Sequence, residues 1–339
     1  MTSVHLSPLK YSAWGKPLAL LLAAGLGLTT LTACASQDDE KAVAKADEKL
    51  SVENCGTTIT LDKQPAKVFT VGTAAVELLD AAGATDKIVG RSGEFGAPLS
   101  EDVKNPPAED LIVDPADPTT ENILTAAPDV VFGYGLFNAN TEELDKAGIA
   151  SLTVNGECGH DAETTSDEVD LYTVTDDIRR LGKLFKTEST ANEQADALEE
   201  RIKKNHHDKV GHGSAAWVYY FSSSDPLSAY GGKGISPAIL RSAGMENAYA
   251  DEKDAYLTVS TESLLQKQPE WIVLSYGLYG ETKDEALKQF LAEPGIKALD
   301  AVKKERIILL PGSASSPAPS AVAGLEELVK QSHELAHDH

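Results

Sequence analysis

Positively charged residues are scarce in this 339-residue chain. It has 30 lysines and arginines against 53 aspartates and glutamates, and its formal net charge is −23 at pH 7. Such a surface repels nucleic acid and anionic lipid headgroups. The composition therefore excludes nucleic-acid binding and suits an exported body with a cationic or metal-bearing ligand, or with a basic docking partner. Charge alone does not choose among these.

Several patterns that mark enzymes and repeat proteins are absent. The sequence has no G-x-S-x-G nucleophile elbow, no G-x-x-x-x-G-K-[ST] phosphate loop and no tandem repeat of roughly 20–50 residues. One enzyme-like pattern is present, since His333-Glu334-x-x-His337 matches the HExxH motif of zinc peptidases. Only two residues follow it, and terminal turns fray, so we expect neither an enzyme nor a catalytic metal site. The His-containing tail, residues 334–339, either binds Zn²⁺ or Ni²⁺ adventitiously or has no role.

Cysteine is limited to three residues. Cys34 ends the stretch LTAC, which resembles a bacterial lipobox and follows a basic start and an apolar run of about 15 residues. This run is too short to span a hydrocarbon core of ~30 Å, so the pattern predicts a lipoprotein signal peptide at residues 1–33. An ordinary secretory signal is the alternative. Lipidation of Cys34 leaves Cys55 and Cys158, which we expect to form a disulfide outside the cytoplasm rather than remain free thiols.

The segment that follows the signal is polar. Residues 34–52 are mostly small or charged and predict a flexible tether. Together with the lipidated cysteine, this segment indicates an extracytoplasmic protein anchored to the cell membrane by an N-terminal lipid.

The rest of the chain alternates short β-branched segments with segments of helical periodicity. Such alternation predicts parallel strands covered by helices, and it occurs in two sets. The sets are separated by residues 188–210, which lack Gly and Pro and could form a helix about 33 Å long. We therefore predict an α/β fold of two Rossmann-like lobes joined by a single long helix, with a ligand cleft between the lobes. The predicted boundaries are an N-terminal lobe at 53–186, an interlobe helix at 187–210 and a C-terminal lobe at 211–333.

Ligands of open α/β sheets bind beyond the carboxyl ends of the strands. The residues at these ends include several aromatic side chains, which predicts a cleft with aromatic walls and a few polar groups that orient the ligand. For each tyrosine, the alternative is a core or surface residue with a satisfied hydroxyl group. The candidate ligand-binding residues are Arg91, Tyr134, Tyr220, Phe221, Tyr230, Tyr276 and Ser313.

Four segments together resemble the periplasmic-binding-protein family for ferric siderophores, haem and cobalamin. They are PAKVFTVGTAAVELLDAAGATDKIVGR, TTENILTAAPDVVFGYG, SAYGGKGISPAILRSAGMENAYAD and LTVSTESLLQKQPEWIVLSYG. The resemblance extends from about Val52 to Leu328. It implies a monomeric substrate-binding component of an iron-type ABC importer, in the class with a rigid helix between the lobes.

The resemblance also implies a docking surface. In such proteins one glutamate on each lobe contacts arginines of the permease dimer, and the matching positions here are Glu121 and Glu262. Each lies near a helix N-terminus, where the helix dipole favours a carboxylate. The alternative is that both are helix-terminal carboxylates without a further role.

For the ligand, the resemblance favours a ferric siderophore, with Arg91 as the expected cationic contact, and no separate cofactor. Haem is the second candidate, with Tyr220, Tyr230, Tyr276 or His160 as axial ligand, and cobalamin is the third. Two hypotheses from other classes stay open, namely a surface-tethered hydrolase and a lipoprotein that serves only as an interaction or sensing module.

Overall fold

The computed structural model describes residues 49–158, 169–207 and 213–337. In this part of the chain, no helix has both the length and the apolar composition that crossing a bilayer requires.

The N-terminal lobe is built around a sheet of five parallel strands in the order β5-β4-β3-β6-β7. Its strands and helices are β3 (Val68–Val71), α1 (Thr73–Ala81), β4 (Ile88–Ser92), β5 (Ile112–Asp114), α2 (Thr120–Ala126), β6 (Val130–Gly133), α3 (Thr141–Lys146), β7 (Ala150–Thr153) and α4 (Tyr172–Phe185). Strands β3 and β6 are buried along their whole length, as expected for a parallel sheet with both faces covered.

The C-terminal lobe has a mixed sheet in the order β11-β9-β8-β12-β13, with β10 paired to β8. Strands β8, β12 and β13 are parallel, whereas β9 runs antiparallel to both β8 and β11. The elements are β8 (Ser214–Tyr219), β9 (Ser228–Tyr230), α6 (Ile235–Ser242), β10 (Glu246–Asn247), β11 (Tyr256–Thr258), α7 (Thr261–Lys267), β12 (Trp271–Tyr276), α8 (Lys283–Ala292), α9 (Asp300–Lys303), β13 (Ile307–Pro311) and α10 (Pro319–His337).

Two long helices connect the lobes. The interlobe helix α5 (Glu188–Asn205) packs on α4 along much of its length, and α10 packs on α5, on α6 and on α1 of the first lobe. The Arg201 guanidinium of α5 donates two hydrogen bonds, of 3.0 and 2.8 Å, to the Glu326 carboxylate of α10. The largest hydrophobic core contains residues of both sheets and of α4, α5 and α10. The lobes therefore share one continuous core through these helices.

An antiparallel hairpin, β1 (Leu50–Asn54) and β2 (Thr57–Leu61), precedes the first lobe. Strand β1 begins inside the segment expected to be a tether. The predicted disulfide forms between Cys55 in the hairpin turn and Cys158 after β7, with a Cα–Cα distance of 5.3 Å. The covalent bond thus holds the hairpin at the end of the first sheet.

The predicted α/β class, the two lobes and the long connecting helix are confirmed. The structure adds what the parallel-strand pattern did not indicate, namely the β1–β2 hairpin and the antiparallel pairs of β8, β9 and β11. Helix α10 extends to His337, so it includes part of the segment expected to be a tail. Leu335 packs against the core there.

Candidate functional site

Two cavities open between the lobes, and residues of both lobes line each of them. The first has a volume of about 480 Å³ and lies where the end of β7 faces β9, β11 and the start of α6. Its lining includes Glu157 from the first lobe and Tyr230, Lys233, Tyr256 and Ser315 from the second.

The second cavity has a volume of about 570 Å³. Thr73 and the 97–102 segment line it from the first lobe, and Tyr276 and Ser313 line it from the second. The segment 311–317 after β13 contributes to both cavities, so they lie along one interlobe cleft, at the strand ends predicted from the sequence.

An aromatic cluster reaches the first cavity through Tyr230 and Tyr256. The Tyr230 ring stacks on Tyr219 with centroids 4.6 Å apart, and it meets Trp217 and Tyr256 edge to face at 5.6 and 5.7 Å. The Tyr230 hydroxyl donates a 2.7 Å hydrogen bond to Ser315 Oγ. Burial raises the Tyr230 pKa well above its usual range. The hydroxyl is therefore a neutral hydrogen-bonding group.

Tyr134 lies at the corresponding end of the first sheet. Its hydroxyl donates a short hydrogen bond to the Asp117 carboxylate, and its ring stacks on Phe137 with centroids 5.9 Å apart. Burial and then Asp117 raise the Tyr134 pKa. Gly72 and Gly93 have positive φ angles, and a Cβ atom on either would collide with Tyr134. The two turn glycines therefore make the space that the ring occupies.

Arg91 is placed differently from the sequence expectation of a ligand contact. Its side chain is 3% exposed, and its Nε and Nη2 atoms donate to the two Glu94 carboxylate oxygens at 2.8 and 2.9 Å. Nη1 donates to the carbonyl oxygens of Pro107 and Ala108, both at 3.3 Å. The guanidinium would have to break the buried pair with Glu94 in order to reach a ligand, so its role as the cationic contact stays a prediction.

Tyr220 and Phe221 follow the same strand but have opposite environments. Tyr220 is 2% exposed, belongs to the core between β8 and the helices of its lobe, and donates a 2.9 Å hydrogen bond to Glu293. Phe221 is 61% exposed. Side chains alternate between the two faces of a strand, and that parity places Tyr220 with Ala216 and Val218 in the core. The structure therefore brings Phe221, but not the Tyr220 ring, into contact with the other lobe, at Phe95.

The structure also shows cleft residues that the sequence interpretation missed. Phe95, Glu157, Lys233 and Tyr256 all lie at the interlobe surface. Glu157 contributes to raising the pKa values of Tyr134 and Tyr230, which belong to different lobes. Phe95 could have been found, because it follows the end of β4 only three residues after Ser92.

The two expected docking residues have equivalent positions. Helices α2 and α7 each have seven residues, and the hydroxyl groups of Thr119 and Ser260 cap their N-termini. Glu121 and Glu262 are the second residues of these helices, and both are exposed. A proline and then a core strand follow each helix, so the same local structure occurs once in each lobe.

Some sequence predictions fall outside the described residues. Cys34 with the signal peptide, and His160, belong to segments that the structure does not describe, as do Asp338, His339 and the side chain of His337. Within residues 49–158, 169–207 and 213–337, no group of three or more His, Cys, Asp or Glu side chains is arranged to hold a metal ion.

A sequence profile described as periplasmic binding protein matches residues 68–314. The uncharacterized ABC transporter substrate-binding lipoprotein YvrC of Bacillus subtilis is 24% identical over 326 residues, which cover 92% of this chain and 94% of the relative. The crystal structure of an ABC-type Fe³⁺-hydroxamate transport system from Saccharomonospora viridis is 25% identical, has a TM-score of 0.68, and covers 84% of this chain and 98% of that chain. A periplasmic haem-binding protein from Pseudomonas aeruginosa shares the fold, with a TM-score of 0.63 at 19% identity over 80% of this chain and 93% of its own.

Proposed function

The chain belongs to the periplasmic binding protein family, and we propose that it is the substrate-binding lipoprotein of an ABC importer that captures a ferric siderophore. In this proposal Cys34 carries the lipid anchor, the interlobe cleft holds the iron chelate, and the permease dimer receives the chelate when Glu121 and Glu262 dock.

The observation that carries the proposal is the cleft with its two cavities, each lined by residues of both lobes. Volumes of about 480 and 570 Å³ lie within the size range of small-molecule sites. Because both lobes contribute to each cavity, a ligand bound there would contact both and so report its presence to a partner that docks across them. This is the geometry that a delivery protein needs.

Charge favours a chelate without net negative charge within the siderophore class. Fe³⁺ bound by three hydroxamate groups, each with one negative charge, is neutral, whereas three catecholates leave a strongly negative complex. The net charge of −23 opposes an anionic ligand. The buried Arg91 already pairs with Glu94. The hydroxamate transport protein of Saccharomonospora viridis, at 25% identity, agrees with this preference.

Haem binding is less well supported by the tyrosines that the structure describes. A tyrosine that ligates ferric haem iron does so as phenolate, and burial raises the pKa of Tyr230, Tyr220 and Tyr276. The Tyr230 and Tyr220 hydroxyls donate to Ser315 and Glu293 respectively. Neutral, hydrogen-bonded phenols are poor axial ligands. Haem and cobalamin remain the alternatives that the experiment must include.

The test is a titration of the purified mature protein with ferrioxamine B, a ferric trihydroxamate whose iron centre is neutral and whose terminal ammonium group carries one positive charge, and with a ferric tris-catecholate, haem and cobalamin. We expect quenching of the intrinsic tryptophan and tyrosine fluorescence by ferrioxamine B at sub-micromolar concentration, and weaker quenching by the catecholate. A strong Soret shift with haem and no response to either siderophore would contradict the proposal. Any turnover of the chelates that the His333→Ala/His337→Ala double substitution abolishes would point to the hydrolase instead.

A further inference from the structure

Two exposed phenylalanines from opposite lobes meet at the interlobe surface, outside the lining of the two cavities. Phe95 follows β4 in the first lobe, Phe221 follows β8 in the second, and their ring centroids lie 6.5 Å apart at an interplanar angle of 64°. The side chains are nevertheless 48% and 61% exposed. Large apolar side chains on loops at strand ends, in contact with each other and with water, have apolar area available for a ligand.

The backbone of Phe95 is in a conformation that large side chains rarely adopt. Its φ angle is 51°, which lies in the left-handed region, and non-glycine residues keep such angles mainly where the surrounding structure holds them, often at functional sites. Three hydrogen bonds hold this loop. The N–H of Phe95 donates to Pro115 at 2.7 Å, that of Gly93 to Ala116 at 2.9 Å, and that of Ala97 to Glu94 at 2.8 Å.

The buried ion pair between Arg91 and Glu94 also restrains this loop. Both side chains are buried, and the guanidinium and carboxylate share two hydrogen bonds in the bidentate geometry. Glu94 immediately precedes Phe95, so the pair sets the direction in which the chain presents the Phe95 ring. Arg91 is thus a positioning residue whose effect on the cleft passes through Glu94.

We propose that Phe95 and Phe221 form an aromatic clamp that grips the apolar face of the iron chelate, and that the buried Arg91–Glu94 pair aims Phe95 at its partner. The inference rests on the proposed function. The part of the ligand that the two rings would contact is the hydrocarbon linkers between its iron-binding groups. Stacked layers are about 3.5 Å apart, so a flat or extended apolar segment between the rings needs them about 7 Å apart. The observed edge-on contact leaves no such space, and the rings must separate when the ligand enters.

The clamp predicts a change in the dissociation rate of the ligand, which can be distinguished from a loss of folded protein. Phe95→Ala and Phe221→Ala should each speed dissociation of ferrioxamine B by about three- to tenfold, the size expected for one aromatic contact. Because both rings contact the same ligand segment, the double substitution should speed dissociation by less than the product of the two single factors. Tyr172→Ala, which removes an exposed aromatic ring at the start of α4, is the matched control and should leave dissociation unchanged. Equal dissociation rates in wild type, Phe95→Ala and Phe221→Ala would overturn the clamp.

Arg91→Lys tests the positioning role. Lysine keeps the charge but loses the planar fork that matches a carboxylate, so this variant should speed dissociation to nearly the same extent as Phe95→Ala. The control is Arg179→Lys, which removes the guanidinium contacts with Asp196 and Glu199 between α4 and α5, away from the cleft. An Arg91→Lys protein that folds and releases ferrioxamine B at the wild-type rate would overturn the role of the pair.

A ligand-free measurement separates the failure of the clamp from the failure of the proposed function. In protein labelled with fluorophenylalanine, the ¹⁹F resonance of Phe221 should shift in Phe95→Ala and in Arg91→Lys but stay in place in Tyr172→Ala. An unmoved Phe221 resonance in Phe95→Ala would overturn the clamp whatever the ligand is. Failure of wild-type protein to bind any chelate of the panel would instead contradict the proposed function.

Discussion

Glu77 has an unusual position for a carboxyl group. It is 3% exposed and lies on α1, where its Oε2 atom accepts a 3.1 Å hydrogen bond from the Ser320 N–H in the first turn of α10. Its Oε1 atom is buried without a hydrogen-bond partner within the described residues. Burial raises the Glu77 pKa to about 7, with smaller contributions from Asp102 and Asp80. The protonation state of Glu77 is therefore coupled to the contact between α1 of the first lobe and α10 of the second.

The Glu77 position predicts a pH dependence of stability. A carboxyl whose pKa is raised on folding is easier to ionise in the unfolded chain, so stability falls as the pH rises from about 4.5 to about 7 and stays low above that. Glu77→Gln should therefore raise the free energy of unfolding at pH 8, by up to roughly 3 kcal/mol, with a much smaller effect at pH 4.5. Denaturant unfolding at both pH values measures this, and exposed Glu142→Gln is the control. A variant less stable than wild type by the same amount at both pH values would show that Glu77 is only a packing residue.

At the scale of elements, a disulfide and a side-chain hydrogen bond stabilise a hairpin that buries little apolar surface of its own. The β1–β2 hairpin is an isolated pair of strands, and such hairpins are marginal in water. It is held by the Cys55–Cys158 bond and by the Asn54 side chain, which accepts a 2.7 Å hydrogen bond from the Thr153 N–H of β7. The hairpin therefore depends on the first lobe rather than on its own packing.

Reduction of the disulfide should lower the stability of the folded protein. The bond closes a loop of 103 residues, and loss of a native disulfide of this kind removes roughly 2–5 kcal/mol of stability, mainly through the unfolded chain. The Cys55→Ser/Cys158→Ser variant should melt at lower temperature while binding ferrioxamine B with nearly unchanged affinity, since Cys158 is the only one of the two cysteines that lines a cavity and most of that lining comes from the second lobe. Melting with and without dithiothreitol measures the effect, and the double-serine variant should not respond to reductant. A large loss of affinity at temperatures where the variant is folded would mean that Cys158, at the edge of the first cavity, shapes the site.

At the scale of the whole molecule, two lobes face each other, and α5 and α10 pack against both of them. A bidentate ion pair between Arg201 and Glu326 connects α5 with α10, and the largest core extends through both lobes. Such an arrangement resists wide opening and favours modest movements around a largely preformed cleft. The same rigidity would hold Glu121 and Glu262 at a fixed separation, which the proposed docking on a permease dimer requires.

The docking pair gives a prediction that separates capture from delivery. Glu121→Lys/Glu262→Lys should stop import of the chelate by cells, because charge reversal turns the expected attraction to permease arginines into repulsion. Binding of ferrioxamine B in vitro should not change, since both residues are exposed on helices outside the cavities. Glu142→Lys/Asp284→Lys, which reverses exposed first-turn acids on α3 and α8, is the matched control. Normal uptake with the Glu121/Glu262 variant would support a lipoprotein that only senses or interacts.

Local sequence patterns determined much of this protein's architecture. The alternation of strands and helices, the Gly- and Pro-free α5 and the limits of α7 were predictable, because hydrophobic periodicity and turn residues act over a few positions. The disulfide was predictable because only two cysteines remain after Cys34. The candidate residues at the strand ends were predictable as a set for the same local reason.

Only the tertiary structure decided which of those candidates face the cleft. Arg91 and Glu94 are three residues apart, yet their burial depends on the segment that brings the carbonyls of Pro107 and Ala108 to the guanidinium. Phe95 meets Phe221 because two strands far apart in the chain end opposite each other. Such contacts depend on how the lobes pack, which no short window of sequence specifies.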